Sequence, residues 1–116
     1  PVAICSMNKE GNDWQIHYES DTIYLGHGSA SRDMKWFVSD SQEPGSNELV
    51  LVNLEKGEAE VLGYPDATIT GGHPAHAHVH PSFSLKGNYI CYTSDRNGVP
   101  QVYLVPIGDI ISKHSN

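Results

Sequence analysis

A histidine-rich run at 73–80 contains the residues of this chain best suited to metal chemistry. Its four histidines are His73, His76, His78 and His80, and the last three are spaced two residues apart. An extended chain points every second side chain to the same face. Imidazole is a common ligand for borderline divalent metals. The spacing therefore predicts that His76, His78 and His80 present neighbouring imidazoles to one metal ion.

The same run has a second interpretation. Histidine-rich tracts also occur as solvated loops, which bind metal weakly and without selectivity. A working site needs a third or fourth ligand from another part of the chain. The tract alone leaves both interpretations open.

Composition and charge narrow the possible partners. The chain has 116 residues, of which 38% are apolar and 18% charged, as in an ordinary globular domain. A net charge of −7, without a Lys/Arg cluster, argues against nucleic acid and anionic membranes. No apolar stretch approaches the roughly 18 to 20 residues that span a bilayer, and no signal-peptide pattern is present. We expect a cytoplasmic protein; a start at Pro1 instead of Met is expected of a processed piece.

The two cysteines are Cys5 and Cys91, each inside an apolar run. Small buried hydrophobes commonly occupy such positions. We predict two core thiols in preference to a disulfide, because two cysteines do not make a stapled framework.

Short apolar segments bounded by turn residues recur along the chain, and none has a sustained helical period. This pattern predicts an all-β fold built as an antiparallel meander. The predicted strands are Val2–Met7, Trp14–Glu19, Gly26–Ser31, Trp36–Asp40, Glu48–Leu54, Glu58–Leu62, His78–Ser84, Tyr89–Ser94 and Gln101–Ile107.

An internal repeat sharpens the fold prediction. Residues 27–40 align with residues 80–95, pairing His27 with His80 at an offset of 53. A period of about 50 residues with three or four strands per unit is typical of propeller blades. We predict a single domain over 1–116, with a first blade region at about 1–62 and a second at about 73–107. Two blades cannot close a ring, so we expect a fragment of a larger propeller or an oligomeric array.

The repeat also brings a distant histidine towards the run. The first strand of each propeller blade lines the central channel, so equivalent positions in neighbouring blades face a shared space. His27 and His80 can then reach one ion, and His78 lies two residues before His80. We expect these three imidazoles to converge and to leave open positions for a substrate oxygen.

The segment at 78–107 resembles a blade of TolB-like propellers. It contains Ser82-Phe83-Ser84, a turn at 85–87 and a Ser-Asp-Arg turn at 94–96. More narrowly, His27 and the later His78-Val79-His80-Pro81 resemble the C-terminal part of oligogalacturonate lyases, over about residues 24–107.

That resemblance implies a seven-bladed propeller with a divalent metal, typically Mn²⁺, that cleaves oligogalacturonates by β-elimination. By motif, His27, His78 and His80 match the family's histidine ligands. The family's glutamine ligand falls at Ala75, so the resemblance leaves His76 or His73 as a replacement, or no fourth ligand. The family's proton-abstracting histidine and charge-stabilising arginine come from earlier blades, so no catalytic residue is assigned.

For an acidic sugar, a cation on the substrate carboxylate acidifies the neighbouring C–H. His73 or His76, when not a ligand, is our candidate for contacting substrate as a general base. A different class of function stays open, namely a noncatalytic TolB-like segment that serves as an interaction or structural module.

The other polar and aromatic residues have structural interpretations. Asp40 and Asp95 are expected to close Asx-type turns, and Arg96 to brace that turn or a neighbouring blade. His17 and His114 are expected at the surface or an edge. Interblade packing is predicted for four aromatic residues. They are Trp14, Trp36, Tyr89 and Tyr103.

Overall fold

The computed structural model describes residues 1–41, 48–67 and 78–114. These residues form antiparallel sheets, which confirms the predicted all-β meander. The strands are β1 (Val2–Ser6), β2 (Gln15–Ser20), β3 (Gly28–Ala30), β4 (Trp36–Asp40), β5 (Leu49–Asn53), β6 (Glu58–Gly63), β7 (Ser82–Phe83), β8 (Tyr89–Ser94) and β9 (Gln101–Pro106).

The strands are grouped into three sheets. Strands β1 and β2 form a separate pair, β3-β4-β5-β6 form a four-stranded sheet, and β7-β8-β9 form a three-stranded sheet. Each neighbouring pair within a sheet is consecutive in sequence and antiparallel. This is the up-and-down order expected of propeller blades.

The β1-β2 pair corrects two predictions made from apolar content. Burial alternates along β1, with Val2 and Ile4 half-buried and Cys5 on the exposed face. Trp14, just before β2, is also exposed. The period-2 alternation of a strand, and not the average hydrophobicity of the segment, decides which face Cys5 occupies. Cys5 is therefore not a core residue, although it and the half-buried Cys91 are both free thiols as predicted.

The four-stranded sheet holds the best-buried of the described strands. All five residues of β5 are buried, as expected of a strand with neighbours on both edges and packing on both faces. Its hairpin to β6 turns at Asn53, whose side-chain oxygen accepts hydrogen bonds from the N–H groups of Glu55 and Lys56. Gly57 closes the turn at φ +67, a left-handed conformation that favours glycine.

The two larger sheets share one hydrophobic core, which is how adjoining blades are held together. The cluster draws on β4 and β5 of the first sheet, on β8 of the second, and on the chain between and after them. Its buried members are Trp36, Val38, Leu49, Leu51, Ala67, Val79, Ile90, Tyr92 and Ile107. Trp36 thus packs between blades as predicted, and Tyr103 is partly buried against the same core. Tyr89 is exposed because it points away from this core.

A short helix, α1 (Gly108–Lys113), follows β9 and was not predicted. Its Ile110 and Ile111 pack against the shared core. Six residues are fewer than two turns, too few to show a helical period in the sequence. Within the described ranges, no helix has the length and apolar character needed to cross a membrane.

The internal repeat is visible in matching hairpins. In the first blade, the Trp36 N–H donates to the Ser31 hydroxyl, and in the second the Tyr89 N–H donates to the Ser84 hydroxyl. Both pairs are five residues apart, and the 31–36 and 84–89 turns correspond at the predicted offset of 53. Strands β3 and β7, which lead into these turns, lie beside each other in adjoining sheets.

Candidate metal centre

Three histidines from two blades meet where the two larger sheets adjoin. One ligand nitrogen from each of His27, His78 and His80 can be chosen so that all lie within 4.8 Å of one another. The His27 and His80 rings are stacked with centroids 3.7 Å apart, and the His78 ring stands edge-on to His27 at 5.4 Å. The structure therefore brings together the three residues that the repeat and the histidine spacing selected.

The fold positions these residues through the first strands of the two larger sheets. His27 lies immediately before β3, and His78 and His80 lie in the segment that leads to β7. Since β3 and β7 are neighbours, the chain enters both blades side by side. Equivalent entry points in adjacent blades thus place imidazoles on a shared space.

The local backbone differs from the predicted strand at 78–84. Only Ser82–Phe83 form β7, and His80 adopts a left-handed φ of +42. Val79 is fully buried, and its carbonyl accepts the Thr93 N–H from β8. A buried Val79 leaves its two neighbours facing away from the core, so the histidines come together even though no regular strand carries them. The strand prediction was wrong because the local twist at His80 interrupts pairing before β7.

A buried carboxylate supports the cluster, and sequence reasoning assigned it another role. Asp40, at the end of β4, is fully buried. Its Oδ1 accepts the His27 backbone N–H at 2.7 Å, and its Oδ2 lies 3.3 Å from His27 Nδ1 and accepts the His80 N–H at 3.2 Å. The side chain therefore binds the cluster and does not close an Asx-type turn. The hairpin register was a usable signal, because Gly28 pairs with Ser39 and so brings His27 opposite Asp40.

The donor set suits a divalent cation. Two imidazole nitrogens bound to one ion by bonds of about 2.1 Å can be at most about 4.2 Å apart. The present limit of 4.8 Å is close to that value, so the spacing of the three nitrogens is near that of ligands to one ion. The His27 side chain is 39% exposed and the Asp40 side chain is 0% exposed, so one side of the cluster faces solvent and the other is buried. Water or a substrate oxygen can reach the solvent-exposed side.

Of the other four histidines, two lie outside the described residues and two lie away from the cluster. His73 and His76 fall outside the described residues, as does Ala75. His17 is half-buried on β2 with its Nε2 2.7 Å from the Ser6 hydroxyl, and His114 stacks edge-on against Trp36. Neither belongs to the cluster.

Arg96 braces the neighbouring blade, one of its two predicted roles. Its guanidinium donates to the carbonyls of Tyr64 and Pro65, which follow the last strand of the first blade. It also donates to the Tyr92 hydroxyl and lies 4.8 Å from the centre of the Tyr103 ring. Arg96 thus links the end of the first blade to side chains of β8 and β9 in the second.

Comparison with known proteins rests on structure alone, because no protein-family model and no curated protein matches the sequence. An oligogalacturonate lyase in complex with manganese superposes with a TM-score of 0.77 at 23% identity. That match covers 90% of this chain and 28% of the other. The oligogalacturonate lyase of Vibrio parahaemolyticus gives a TM-score of 0.75 at 22% identity, over 90% of this chain and 29% of that one.

A third solved structure, TolB from Acinetobacter baumannii, matches with a TM-score of 0.64 at 17% identity, over 92% of this chain and 24% of that protein. The chain thus spans less than a third of the length of each of these neighbours. Identities this low establish the fold. The chain has the fold of a β-propeller segment of the kind found in oligogalacturonate lyases and TolB.

Proposed function

We propose that this chain is the C-terminal part of a divalent-metal-dependent lyase that cleaves oligogalacturonates by β-elimination. The observation that carries the proposal is the convergence of His27, His78 and His80 from two blades. The likeness to two oligogalacturonate lyases, one of them in complex with manganese, supports the same function.

In this proposal His27, His78 and His80 hold the metal, which we expect to be Mn²⁺. Three neutral imidazoles leave coordination positions for oxygen donors, which Mn²⁺ accepts readily. His76 is the proposed fourth protein ligand. When bound, a divalent cation supplies Lewis acidity towards the substrate carboxylate and so makes the neighbouring C–H easier to deprotonate.

The chain's own residues have distinct proposed tasks. The three imidazoles would hold the cation beside the substrate. His73 is the proposed substrate contact, and His73 or His76, whichever is not a ligand, is a candidate general base because imidazole titrates near neutrality. The remaining catalytic groups would come from other blades of the same propeller or from further copies of the chain. We propose a cytoplasmic location for the assembly.

A second candidate function is a noncatalytic propeller module. The likeness to TolB favours it, since that protein shares the fold with 92% of this chain. In that case the histidine cluster would bind metal for structure or not at all, and the exposed blade surfaces would serve for interaction.

Two measurements on the intact protein separate these functions. Calorimetric titration with Mn²⁺ tests the site, and ultraviolet absorbance of unsaturated uronate tests the reaction on oligogalacturonate. Replacing His27, His78 or His80 by Ala should weaken Mn²⁺ binding more than about tenfold, because each removes one ligand. His17→Ala is the control, since His17 lies outside the cluster. If the protein binds no Mn²⁺ and forms no unsaturated product, the lyase proposal is wrong and the noncatalytic module is the remaining function.

A further inference from the structure

Asp40 makes more contacts to the histidine cluster than a structural turn residue would need. Its carboxylate is fully buried, and its contacts reach both blades, to His27 on one side and to the backbone of His80 on the other. A buried carboxylate is costly unless hydrogen-bond donors satisfy its oxygens. The donors here come from the residues that carry the candidate ligands.

The contact with the His27 ring determines which of its nitrogens carries the hydrogen. An ionised carboxylate only accepts hydrogen bonds. At 3.3 Å from Asp40 Oδ2, Nδ1 of a neutral His27 must therefore be the protonated nitrogen, and Nε2 is the one with the lone pair. Carboxylates that accept a hydrogen bond from the second nitrogen of a ligand histidine fix its tautomer and ring orientation and raise its basicity.

The contact with His80 acts on the backbone. His80 has a φ of +42, a conformation that a residue other than glycine holds only when its surroundings enforce it. The hydrogen bond from its N–H to Asp40 Oδ2 spans the junction between the two sheets. One side chain thus fixes both the His27 ring and the turn that presents His80.

We propose that Asp40 is the positioning residue of this centre: it holds His27 in the Nδ1–H tautomer and anchors the His80 backbone, so that the imidazoles are preorganised for a divalent cation. The inference rests on the proposed function for the identity of the cation. It assigns Asp40 no contact with substrate or metal.

Asp40→Asn tests this with little change in shape. An asparagine has a single side-chain acceptor oxygen, whereas Asp40 uses both of its oxygens as acceptors. The amide NH₂ can take one of two positions. It faces either the backbone N–H of His27, or both the His27 ring and the backbone N–H of His80. With NH₂ against the ring, His27 should change tautomer; with NH₂ against the backbone N–H of His27, the tautomer stays but that contact becomes repulsive. In both cases we expect Mn²⁺ affinity to fall about 10- to 100-fold. Asp33→Asn is the matched control, since Asp33 lies in the turn at the opposite end of β3 and β4.

Two readouts are needed. Long-range ¹H–¹⁵N correlation spectra of the metal-free intact protein report each histidine tautomer, with His27→Gln identifying the His27 signals, and calorimetry with Mn²⁺ reports affinity. Wild-type protein should show Nδ1–H at His27, and this measurement requires no variant to fold. An Nε2–H tautomer in wild type, or a folded Asp40→Asn protein with unchanged tautomer and unchanged affinity, overturns the inference. A wild-type Nδ1–H tautomer that Asp40→Asn abolishes, in a protein that binds no Mn²⁺, upholds the orienting role of Asp40 and overturns the proposed function instead.

Discussion

The matching hairpins of the two blades predict opposite effects for two exchanges at one equivalent position. Met34 and Gly87 both have a left-handed backbone, at φ +62 and φ +76. An L-residue pays about 1–2 kcal/mol for this conformation, and glycine pays little. Met34→Gly also frees the unfolded chain, which costs about 0.4–1 kcal/mol. Since Met34 is 63% exposed and loses little packing, the net gain in unfolding free energy should be about 0.5–1 kcal/mol.

The reverse exchange, Gly87→Ala, should lower the unfolding free energy by about 1 kcal/mol. A Cβ at Gly87 would meet no atom within 4 Å, so no steric clash adds to the backbone strain, which outweighs the smaller freedom of the unfolded chain. Urea denaturation followed by circular dichroism measures both changes. Met34→Ala is the control, because it removes the side chain but keeps the strained backbone, and it should leave stability within about 0.5 kcal/mol of wild type. Destabilisation by Met34→Gly, or a gain from Met34→Ala equal to that from Met34→Gly, would refute the argument.

Two further predictions concern a turn and the junction between blades. Hydrogen bonds from the Ser31 hydroxyl and the Lys35 N–H lower the pKa of Asp33 from its ordinary 3.8. The stability that the ionised Asp33 contributes is therefore present above that pH and is lost as the pH falls below it. The stability difference between wild type and Asp33→Asn, measured by urea denaturation at several pH values, should be constant near neutrality and shrink in acid. Arg96→Ala should lower the unfolding free energy by about 1–2 kcal/mol, because it leaves the carbonyls at 64–65 without a charged donor. Arg96→Lys should recover part of that loss. Equal stability of Arg96→Ala and wild type would contradict the bracing role.

Much of the fold could be predicted from residue patterns. Strands β4 and β8 have the bounds that their apolar residues and flanking turns predicted, because each is a central strand whose pairing and burial agree. Prediction failed where one local signal was missing. Helix α1 is too short to show a period, and its packing depends on a core assembled from distant segments.

The candidate site shows the same division. The offset of 53 between His27 and His80 was sufficient to place them in equivalent blade positions. His78 was placed beside His80 on the assumption of a regular strand, and the segment is not one. The left-handed turn at His80 instead depends on Asp40 across the blade junction. Such a contact between residues 40 positions apart has no local sequence signature.

The charge around the cluster connects Asp40 to the kind of ligand that the site can hold. Asp40 places a carboxylate that is shielded from water beside the three imidazoles. The chain as a whole has a net charge of −7. A negative charge on the buried carboxylate and the net negative charge of the chain both attract a cation and repel an acidic sugar. A buried charge is screened less by salt than a surface charge. A divalent cation reverses the local sign. Under the proposed function, the buried carboxylate would favour binding of the cation, and an acidic sugar would be attracted only once that cation is held.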